Sequence, residues 1–261
     1  DQSRVIPVYA DATGRDVDGA VQAVETALAA TPPPPPMRFD IGGKGVNVAR
    51  ALKTLGYEAL ANGQKTYNGV ATISRRPLKE PAIEIPDLGD TQRRLLAATV
   101  DGLRVVNLYV PNGQSLGSEK YRYKLGWLAA LRDFLAIELQ RYEHVVVLGD
   151  FNIAPEDRDV YDPENWGEGV LCSGPEREAL RSLMQLGLVD VFRQFEQDEK
   201  IFSWWDYRAA RFRRNAGLRI DLILASPALA KLCTASFIDR GPRGWERPSD
   251  HAPVVAEFSL W

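Results

Sequence analysis

The most regular hydrophobic pattern of the chain is the apolar run 145–148, which is followed by Gly149, Asp150, Phe151 and Asn152. A short apolar run that ends at a glycine predicts a buried β-strand. If the chain stays extended, side-chain alternation places Asp150 and Asn152 on the same side. The pattern therefore predicts a carboxylate and a carboxamide at the end of a strand. Asp and Asn also close strands in simple Asx turns, so the pattern alone does not indicate chemistry.

Hydrophobic periodicity predicts the other elements of an α/β fold. A leucine stripe predicts a helix from Glu119 to Tyr142, and a second helix is expected to begin after Ser173 and to end near Gly187. Strands are predicted at 57–61, 69–74, 96–100, 103–110, 218–225 and 253–258. Strands that pair in hairpins and are interrupted by long helices favour two packed sheets flanked by helices.

The first 55 residues differ in character from the rest of the chain. A short edge strand is predicted at Val5–Ala10, since Pro7 is unfavourable in a central strand. Residues 16–30 have helical periodicity, and the five prolines at 32–36 predict a stiff polyproline segment that serves as a linker or, less favourably, as a binding motif. We divide the chain into an atypical amino-terminal region, 1–55, and a main domain, 56–261. Whether the first region is a natural fusion or an artefact is left open.

A glycine-rich stretch at 42–45 precedes a predicted amphipathic helix, a layout that suits anion or sugar binding at a helix N-terminus. Residues 37–56 locally resemble the amino-terminal signature of the ribokinase-like sugar kinases. Those kinases also have a late glycine-rich anion hole, D-T-x-G-A-G-D, which this sequence lacks. A sugar kinase is therefore a minor alternative.

Composition limits the class of protein. The chain has 261 residues, of which 45% are hydrophobic and 26% charged, values that are typical of globular domains. No apolar run approaches the roughly 20 residues of a membrane span. The start lacks a signal-peptide pattern, and the two cysteines, Cys172 and Cys233, are too few for a disulfide framework. A cytoplasmic location is expected. A net charge of −3 restricts nucleic-acid binding to a local basic patch.

Polar residues that an ordinary fold does not require fall at or beside four predicted strands. These residues are Tyr109, Asp150, Asn152, Asp221, Asp250 and His251. Asp221 lies inside an apolar strand, where an unpaired charge costs several kcal/mol. Of the two histidines, His251 is the candidate partner, because it precedes the last predicted strand and follows another aspartate.

The chemistry of these groups fits phosphodiester hydrolysis. A carboxylate that is paired with imidazole fixes its tautomer and raises its basicity. The alternative is a buried Asp–His pair with a purely structural role. Carboxylate and amide oxygens suit Mg²⁺ or Mn²⁺, hard cations that prefer oxygen ligands. Together these groups predict metal-assisted hydrolysis of a phosphodiester.

The segment 202–214 mixes aromatic rings with guanidinium groups. Arginine binds phosphates in bidentate fashion, and flat rings fill gaps in a base stack. This composition favours a nucleic-acid contact. The alternative is an amphipathic hairpin whose rings belong to the core and whose arginines are solvated. The pairs at 75–76 and 93–94 could extend the basic track.

Four motifs carry a resemblance to a known family. They are 149–155 (GDFNIAP), 202–208 (FSWWDYR), 217–221 (GLRID) and 249–253 (SDHAP). With these motifs in this order, residues 56–261 resemble bacterial exonuclease III, an apurinic/apyrimidinic endonuclease of the endonuclease/exonuclease/phosphatase superfamily. The resemblance implies a four-layered, DNase I-like α/β sandwich. It also implies a Mg²⁺-dependent enzyme of DNA repair that cuts at abasic sites and trims 3′ ends of duplex DNA, with no membrane partner.

The resemblance also implies roles for single residues. Asp150 acts on the nucleophilic water or the leaving group, while Asn152 and His251 contact the scissile phosphate. Asp221 pairs with His251, and Tyr109 hydrogen-bonds the phosphate. Asp250 binds the metal together with Asp150 and Asn152, and Mn²⁺ can substitute for Mg²⁺. Trp204 packs at the abasic pocket. The residues that contact DNA are Phe202, Arg208 and Arg94. A monomer is expected.

The chain departs from this family near its start. Family members have a first strand that ends in Asn-x-Asn-Gly and a second that ends in Gln-Glu-Thr, whose Glu is a principal metal ligand. Neither motif is present, and the best stand-ins for the two strands are Val5–Gly14 and Met37–Ile41. Asp11 would then replace the first Asn, and Gly42 or Gly43 the Glu. The alternative function is therefore a lesion-binding protein with impaired catalysis.

Overall fold

The computed structural model of the protein describes residues 3–7, 37–39, 56–64, 68–246 and 248–260. The strands are β1 Ser3–Pro7, β2 Met37–Phe39, β3 Glu58–Gly63, β4 Gly69–Ser74, β5 Lys79–Ala82, β6 Leu95–Val100, β7 Leu103–Tyr109, β8 His144–Asp150, β9 Val189–Asp190, β10 Asp221–Ala225, β11 Cys233–Ile238 and β12 Val254–Phe258. The α-helices are α1 Glu119–Arg141, α2 Pro163–Trp166, α3 Gly174–Met184 and α4 Pro227–Ala230. Short 3₁₀ helices lie at Asp157–Asp159, Val191–Gln194, Arg208–Ala210 and Gly241–Gly244.

The strands form two six-stranded sheets. One sheet has the order β11-β12-β1-β2-β4-β3, and the other has the order β5-β6-β7-β8-β10-β9. In the second sheet β7 and β8 run parallel, and β10 runs antiparallel to β8. These pairings bring the end of β8 next to the end of β7 and the start of β10.

Alternation along β8 explains how the sheets are covered. Val145 and Val147 belong to a core cluster that includes Leu131 and Leu135 of α1. Val146 and Leu148 belong to a second cluster that includes residues of β12 in the other sheet. The second sheet is therefore buried on both faces, between the helices and the first sheet, as a continuous apolar strand requires. The predicted arrangement of two packed sheets with flanking helices is confirmed.

Both long helices begin with side-chain caps. Ser118 accepts a hydrogen bond from the backbone N–H of Tyr121 at the start of α1. At the start of α3, Ser173 and Glu176 form a reciprocal capping box. The two helices pack against the same face of the second sheet and fix the positions of the loops between them.

The hydrophobic pattern did not predict three strands that lie at sheet edges, namely β5, β9 and β11. β5 contains Pro81 and is mostly exposed, and β11 has only one buried residue, Ser236. Such strands lack the apolar run of a central strand. β10 is shorter than predicted, because the backbone of Leu218 hydrogen-bonds Trp204 and that of Arg219 hydrogen-bonds Asp159 instead of β8.

The start of the chain contributes to the first sheet. β1 pairs with β12 on one side and with β2 on the other, so the prediction of an edge strand is wrong. The register with β12 ends at Val5, which leaves Pro7 beyond that pairing. The expected stand-in segments Val5–Gly14 and Met37–Ile41 overlap β1 and β2. The helix at 16–30, the prolines at 32–36 and the glycine-rich stretch at 42–45 lie outside the described residues, and the division at residue 55 stays a prediction.

In the described part of the chain, no helix combines the length and the apolar character that a bilayer span needs.

Candidate active site

Three of the predicted site residues meet where β7, β8 and β10 adjoin. Tyr109 is the parallel register partner of Asp150, and Asp221 is its antiparallel register partner. Sheet pairing alone therefore places a phenol and two carboxylates side by side. Asp150 and Asp221 are both buried, with 6% and 0% of their surface exposed.

Gly149 permits this close approach of β7 and β8. Its φ is +151°, and a Cβ atom built on it would lie 1.9 Å from the carbonyl oxygen of Leu108. Two non-bonded atoms cannot lie so close to each other, so a residue with a Cβ atom at this position would push the two strands apart. The glycine of the GDFN motif is explained by packing.

Asn152 is folded back onto Asp150. Its φ is +50°, a left-handed conformation that Asn tolerates better than most residues. The backbone N–H of Asn152 donates to Oδ1 of Asp150 at 2.8 Å, and its side-chain Nδ2 donates to Oδ2 at 2.9 Å. The chain does not stay extended at Asn152, and the Asx turn, which is the alternative interpretation of the pattern, is formed. This turn is also what positions the carboxylate. Nδ2 makes a further bond to the carbonyl of Val110 at 3.0 Å.

The predicted pairing of Asp221 with His251 is present. Nδ1 of His251 lies 2.9 Å from Oδ2 and 3.1 Å from Oδ1 of Asp221. The ring is 4% exposed, and Ser203 Oγ accepts hydrogen bonds from the backbone N–H groups of Ile220 and Asp221. The carboxylate and the ring are therefore held by packing and by main-chain contacts. This pairing leaves Nε2 as the ring atom that can face a substrate.

The electrostatics of the site favour a cationic His251. Burial by itself lowers the pKa of the imidazole, but the charge of Asp221 and its hydrogen bond, followed by the charges of Asp250 and Asp150, outweigh it. The pKa of His251 is therefore raised well above its ordinary value. A protonated imidazole at this position can hydrogen-bond and neutralise a phosphate oxygen.

Asp250 is connected to Trp204. Oδ2 of Asp250 accepts a hydrogen bond from Nε1 of Trp204 at 2.9 Å, and its backbone oxygen accepts one from the N–H of Trp205 at 3.0 Å. Trp204 also pairs through its backbone with His251. Asp250, His251 and the indole of Trp204 therefore form one rigid unit.

The oxygen atoms at the site fit a hard divalent cation. Within the described residues no cluster of three or more His, Cys, Asp or Glu side chains is placed to hold a metal ion. Mg²⁺ in substrate sites is usually bound by one or two carboxylates and otherwise by waters and phosphate oxygens. Asp150 and Asp250 supply such carboxylates. The side-chain oxygen of Asn152 accepts a hydrogen bond from Asn112 at 3.1 Å. Asp11, Gly42 and Gly43 lie outside the described residues.

The proposed DNA-contacting residues lie at different depths. Trp204 is half-buried, whereas the side chain of Arg208 is 88% exposed and pairs with Asp206. The guanidinium of Arg94 lies 5.0 Å from the ring centre of Tyr109. It borders an open cavity of about 800 Å³ that is also lined by Tyr109 and Asn112. These positions can be reached by a nucleic acid.

The structure contradicts the prediction that Phe202 contacts DNA. Its side chain has no exposed surface and packs with Trp205 and Ala252. A ring at this depth cannot contact DNA, and its role is to support the core. The prediction failed because burial along this irregular segment follows tertiary contacts, which leave Phe202 and Trp205 inside and Tyr207 57% exposed.

Sequence reasoning missed Asn112, Lys124 and Glu176. Lys124 is fully buried, and its ammonium donates to the backbone oxygen of Asn152. The sequence does contain a signal for the burial of Lys124. It follows Tyr121 by three residues and precedes Leu128 by four, which is the spacing of residues on the buried face of the helix. Asn112 lies in a loop, where no periodicity marks it.

Comparisons with known proteins agree with this geometry. The sequence profile of the Endonuclease/Exonuclease/phosphatase family matches residues 17–251, which include most of the region predicted to be atypical. A Haemophilus influenzae protein named Exodeoxyribonuclease III is 36% identical over 220 residues, which cover 79% of this chain and 82% of that relative.

Solved structures are similar over almost the whole chain. A structure of the 3′ phosphatase NExo from Neisseria, bound to a product DNA hairpin, has a TM-score of 0.92 and 41% identity, and the match covers 99% of this chain and 100% of that chain. An AP endonuclease from Archaeoglobus fulgidus has a TM-score of 0.89 and 31% identity, with coverages of 99% and 100%. The predicted fold class is confirmed. Because these relatives are named as enzymes, the alternative of a lesion-binding protein with impaired catalysis has no support.

Proposed function

This chain belongs to the Endonuclease/Exonuclease/phosphatase family and is a DNA repair nuclease of the exodeoxyribonuclease III type, and we propose that it uses Mg²⁺ to cut duplex DNA at abasic sites and to trim 3′ ends. The observation that carries this proposal is the pairing of Asp221 with His251, beside the fixed carboxylate of Asp150. These groups are the acid–base and anion-binding elements that hydrolysis of a phosphodiester needs.

His251 is the group that binds the scissile phosphate. Its Nδ1 is held by Asp221, so its Nε2–H is directed at one of the non-bridging oxygens. The positive charge of the ring stabilises the negative charge that the non-bridging oxygens carry in the transition state. The hydroxyl of Tyr109 adds a hydrogen bond to the same phosphate.

Asp150 is the group that accepts the proton of the attacking water. Asn152 holds both carboxylate oxygens of Asp150 through its backbone and side-chain N–H groups. The water oxygen forms a bond to phosphorus, the bond to the leaving oxygen breaks with its electron pair moving to that oxygen, and the water proton passes to Asp150. The leaving oxygen then takes a proton from solvent and departs as a hydroxyl group. Because the carboxylate is fixed beforehand, little reorganisation is required during the reaction.

The divalent cation would be held by Asp150 and Asp250, with the Asn152 amide beside them. When bound, it would supply Lewis acidity at the phosphate and positive charge near the leaving oxygen. Mn²⁺, which prefers the same ligands, would substitute for it.

DNA is bound by residues on both sides of this centre. Trp204 packs where a base is missing, and Arg208 and Arg94 neutralise backbone phosphates. We also propose that the chain acts as a monomer. We do not propose sugar kinase activity, because the matching family and the relatives named above are nucleases or phosphatases.

A panel of labelled duplexes tests the proposal. The panel holds one duplex with a central abasic site, one with a 3′ phosphate and one with a recessed 3′ hydroxyl, each incubated with Mg²⁺ and with EDTA. We expect products from the abasic and 3′-end substrates in Mg²⁺ and none in EDTA. A chain that leaves all three duplexes intact in Mg²⁺ would contradict the proposal.

A further inference from the structure

Lys124 is a buried cation that contacts both loops of the site. It lies in α1 with no exposed surface. Its Nζ donates to the backbone oxygen of Asn152 at 2.6 Å and to that of Asn112 at 3.2 Å. One ammonium therefore joins the loop that follows β8 to the loop that follows β7.

Glu176 fixes the ammonium from the other side. Its Oε1 lies 2.5 Å from Nζ of Lys124 and accepts a hydrogen bond from the N–H of Leu171. Its Oε2 accepts hydrogen bonds from the backbone and the hydroxyl of Ser173. The charge of Lys124 is thus balanced, and its position is set by the rigid start of α3.

The two loops meet through their amide side chains. Nδ2 of Asn112 donates to Oδ1 of Asn152 at 3.1 Å, and Nδ2 of Asn152 donates to Oδ2 of Asp150 at 2.9 Å. A Cβ atom added to Gly113 would lie 3.2 Å from Cδ of Lys124, so the first loop packs directly on the lysine stem. A displacement of the ammonium would therefore move the amides and, through them, the carboxylate.

From this geometry we infer that Lys124 is a positioning residue for the hydrolysis reaction. Its three donors converge on two main-chain oxygens and one carboxylate, and they hold Asn152 in the left-handed conformation from which it reaches Asp150. These donors are used by Asn112, Asn152 and Glu176, so we assign Lys124 no contact with the reacting phosphate or the water. It acts through the orientation of Asn152 and Asp150. The inference rests on the proposed function.

A purely structural role is the competing explanation, because any buried ion pair affects folding. The chain offers a matched control in Arg104 and Glu138, a second buried pair, with side chains that are each 3% exposed. Glu138 lies in α1, as Lys124 does, and Arg104 lies in β7. Arg104 contacts Glu80, Thr99 and Tyr142 and none of the site residues named above.

The test compares two double variants that neutralise each pair, Lys124→Met/Glu176→Gln and Arg104→Met/Glu138→Gln. Urea unfolding, followed by circular dichroism, gives their stabilities, and steady-state cleavage of an abasic duplex gives kcat and KM. We expect kcat of the Lys124 variant to fall about a hundredfold, the scale of a small misplacement of reacting groups, with KM nearly unchanged. The Arg104 variant keeps the kcat of the unmodified chain. Equal kcat values in the two folded variants would overturn the inference.

The variant Lys124→Arg decides the question if the first double variant does not fold. It keeps the charge beside Glu176, but a planar guanidinium cannot direct three donors from one atom. We expect kcat at least about fivefold below that of the unmodified chain, and an unchanged kcat would overturn the inference. Failure of the proposed function is a separate result, because the unmodified chain itself would then cleave no DNA.

Discussion

Nδ1 of His251 lies 2.9 Å from Oδ2 of Asp221 in a part of the structure where both side chains are buried. The imidazole is thereby fixed in orientation and kept protonated, since the pKa of His251 is raised by that carboxylate despite the opposing effect of burial. The pair fixes the charged ring of His251 near Asp150, whose carboxylate also acts on the pKa of the ring. This relationship explains why an aspartate is tolerated inside an apolar strand.

The pair is expected to be essential for turnover. We predict that Asp221→Asn and His251→Ala each lower kcat by at least about a hundredfold, the usual effect of removing a positioned acid–base or electrostatic group. The matched control is His144→Ala, at the start of β8, which should retain kcat. The measurement is single-turnover cleavage of an abasic duplex. Near-normal turnover in either site variant would mean that the site is assigned wrongly.

Trp204 is expected to have two separable roles. Trp204→Ala should reduce the preference for abasic over intact duplex more than total DNA binding, because a ring at a gap reads the missing base whereas arginines read phosphate. Trp204→Phe keeps a ring but loses the hydrogen bond to Asp250. It should keep the preference and raise the Mg²⁺ concentration needed for cleavage. Competition binding and a Mg²⁺ titration distinguish the two effects. An equal loss of affinity for the abasic and the intact duplex in Trp204→Ala would show that Trp204 does not recognise the abasic site.

Asp250 is expected to bind the cation. Replacing it with Asn removes one of the few anionic ligands, so the Mg²⁺ concentration at half-maximal rate should rise by about tenfold or more. Asp133→Asn, at a side chain that is 79% exposed on α1, serves as the control and should leave the titration unchanged. Identical Mg²⁺ curves for Asp250→Asn and the unmodified chain would place the cation elsewhere.

Arg208 is expected to bind phosphate without stabilising the fold. Its side chain is 88% exposed, and its pairing with Asp206 lies at the surface. Arg208→Ala should weaken binding to all duplexes alike and reduce the slope of log affinity against log salt by about one. Arg132→Ala, on the outer side of α1, is the control. An unchanged salt slope in Arg208→Ala would show that this arginine makes no phosphate contact.

Gly149 is expected to be required by packing. Gly149→Ala would place a methyl group against the carbonyl of Leu108, and we predict a loss of about 3 kcal/mol in the free energy of unfolding. Gly126→Ala is the contrasting variant, because Gly126 lies in α1 with no atom near the added Cβ. It should stabilise the protein by about 0.5–1 kcal/mol. Urea denaturation measures both, and a harmless Gly149→Ala would refute the steric argument.

Much of the second sheet could be predicted from the sequence. The run 145–148 is apolar throughout because β8 is covered on both faces, and α1 carries a regular buried stripe. The edge strands β5 and β11 could not be predicted, since solvent on one side removes the apolar pattern. The boundary of β10 depends on hydrogen bonds to distant loops, which no local pattern encodes.

Site residues could be predicted from the sequence where a charged side chain stands in an otherwise apolar segment. Asp221 stands out because a carboxylate in an apolar strand demands a partner, and the chain holds two histidines to choose from. Phe202 was assigned wrongly because burial along an irregular segment follows tertiary contacts and not alternation. Lys124 was missed because a lysine on a helix is usually solvated, and only its position on the buried face marks it.

The central claim, metal-dependent hydrolysis of a DNA phosphodiester, is tested most directly by cleavage of an abasic duplex in oxygen-18 water, with the products weighed by mass spectrometry. The account predicts that in Mg²⁺ the new phosphate end carries one oxygen-18 atom, and that EDTA prevents cleavage until Mg²⁺ is restored. Cleavage without incorporation of the label, or cleavage that persists in EDTA, would contradict it.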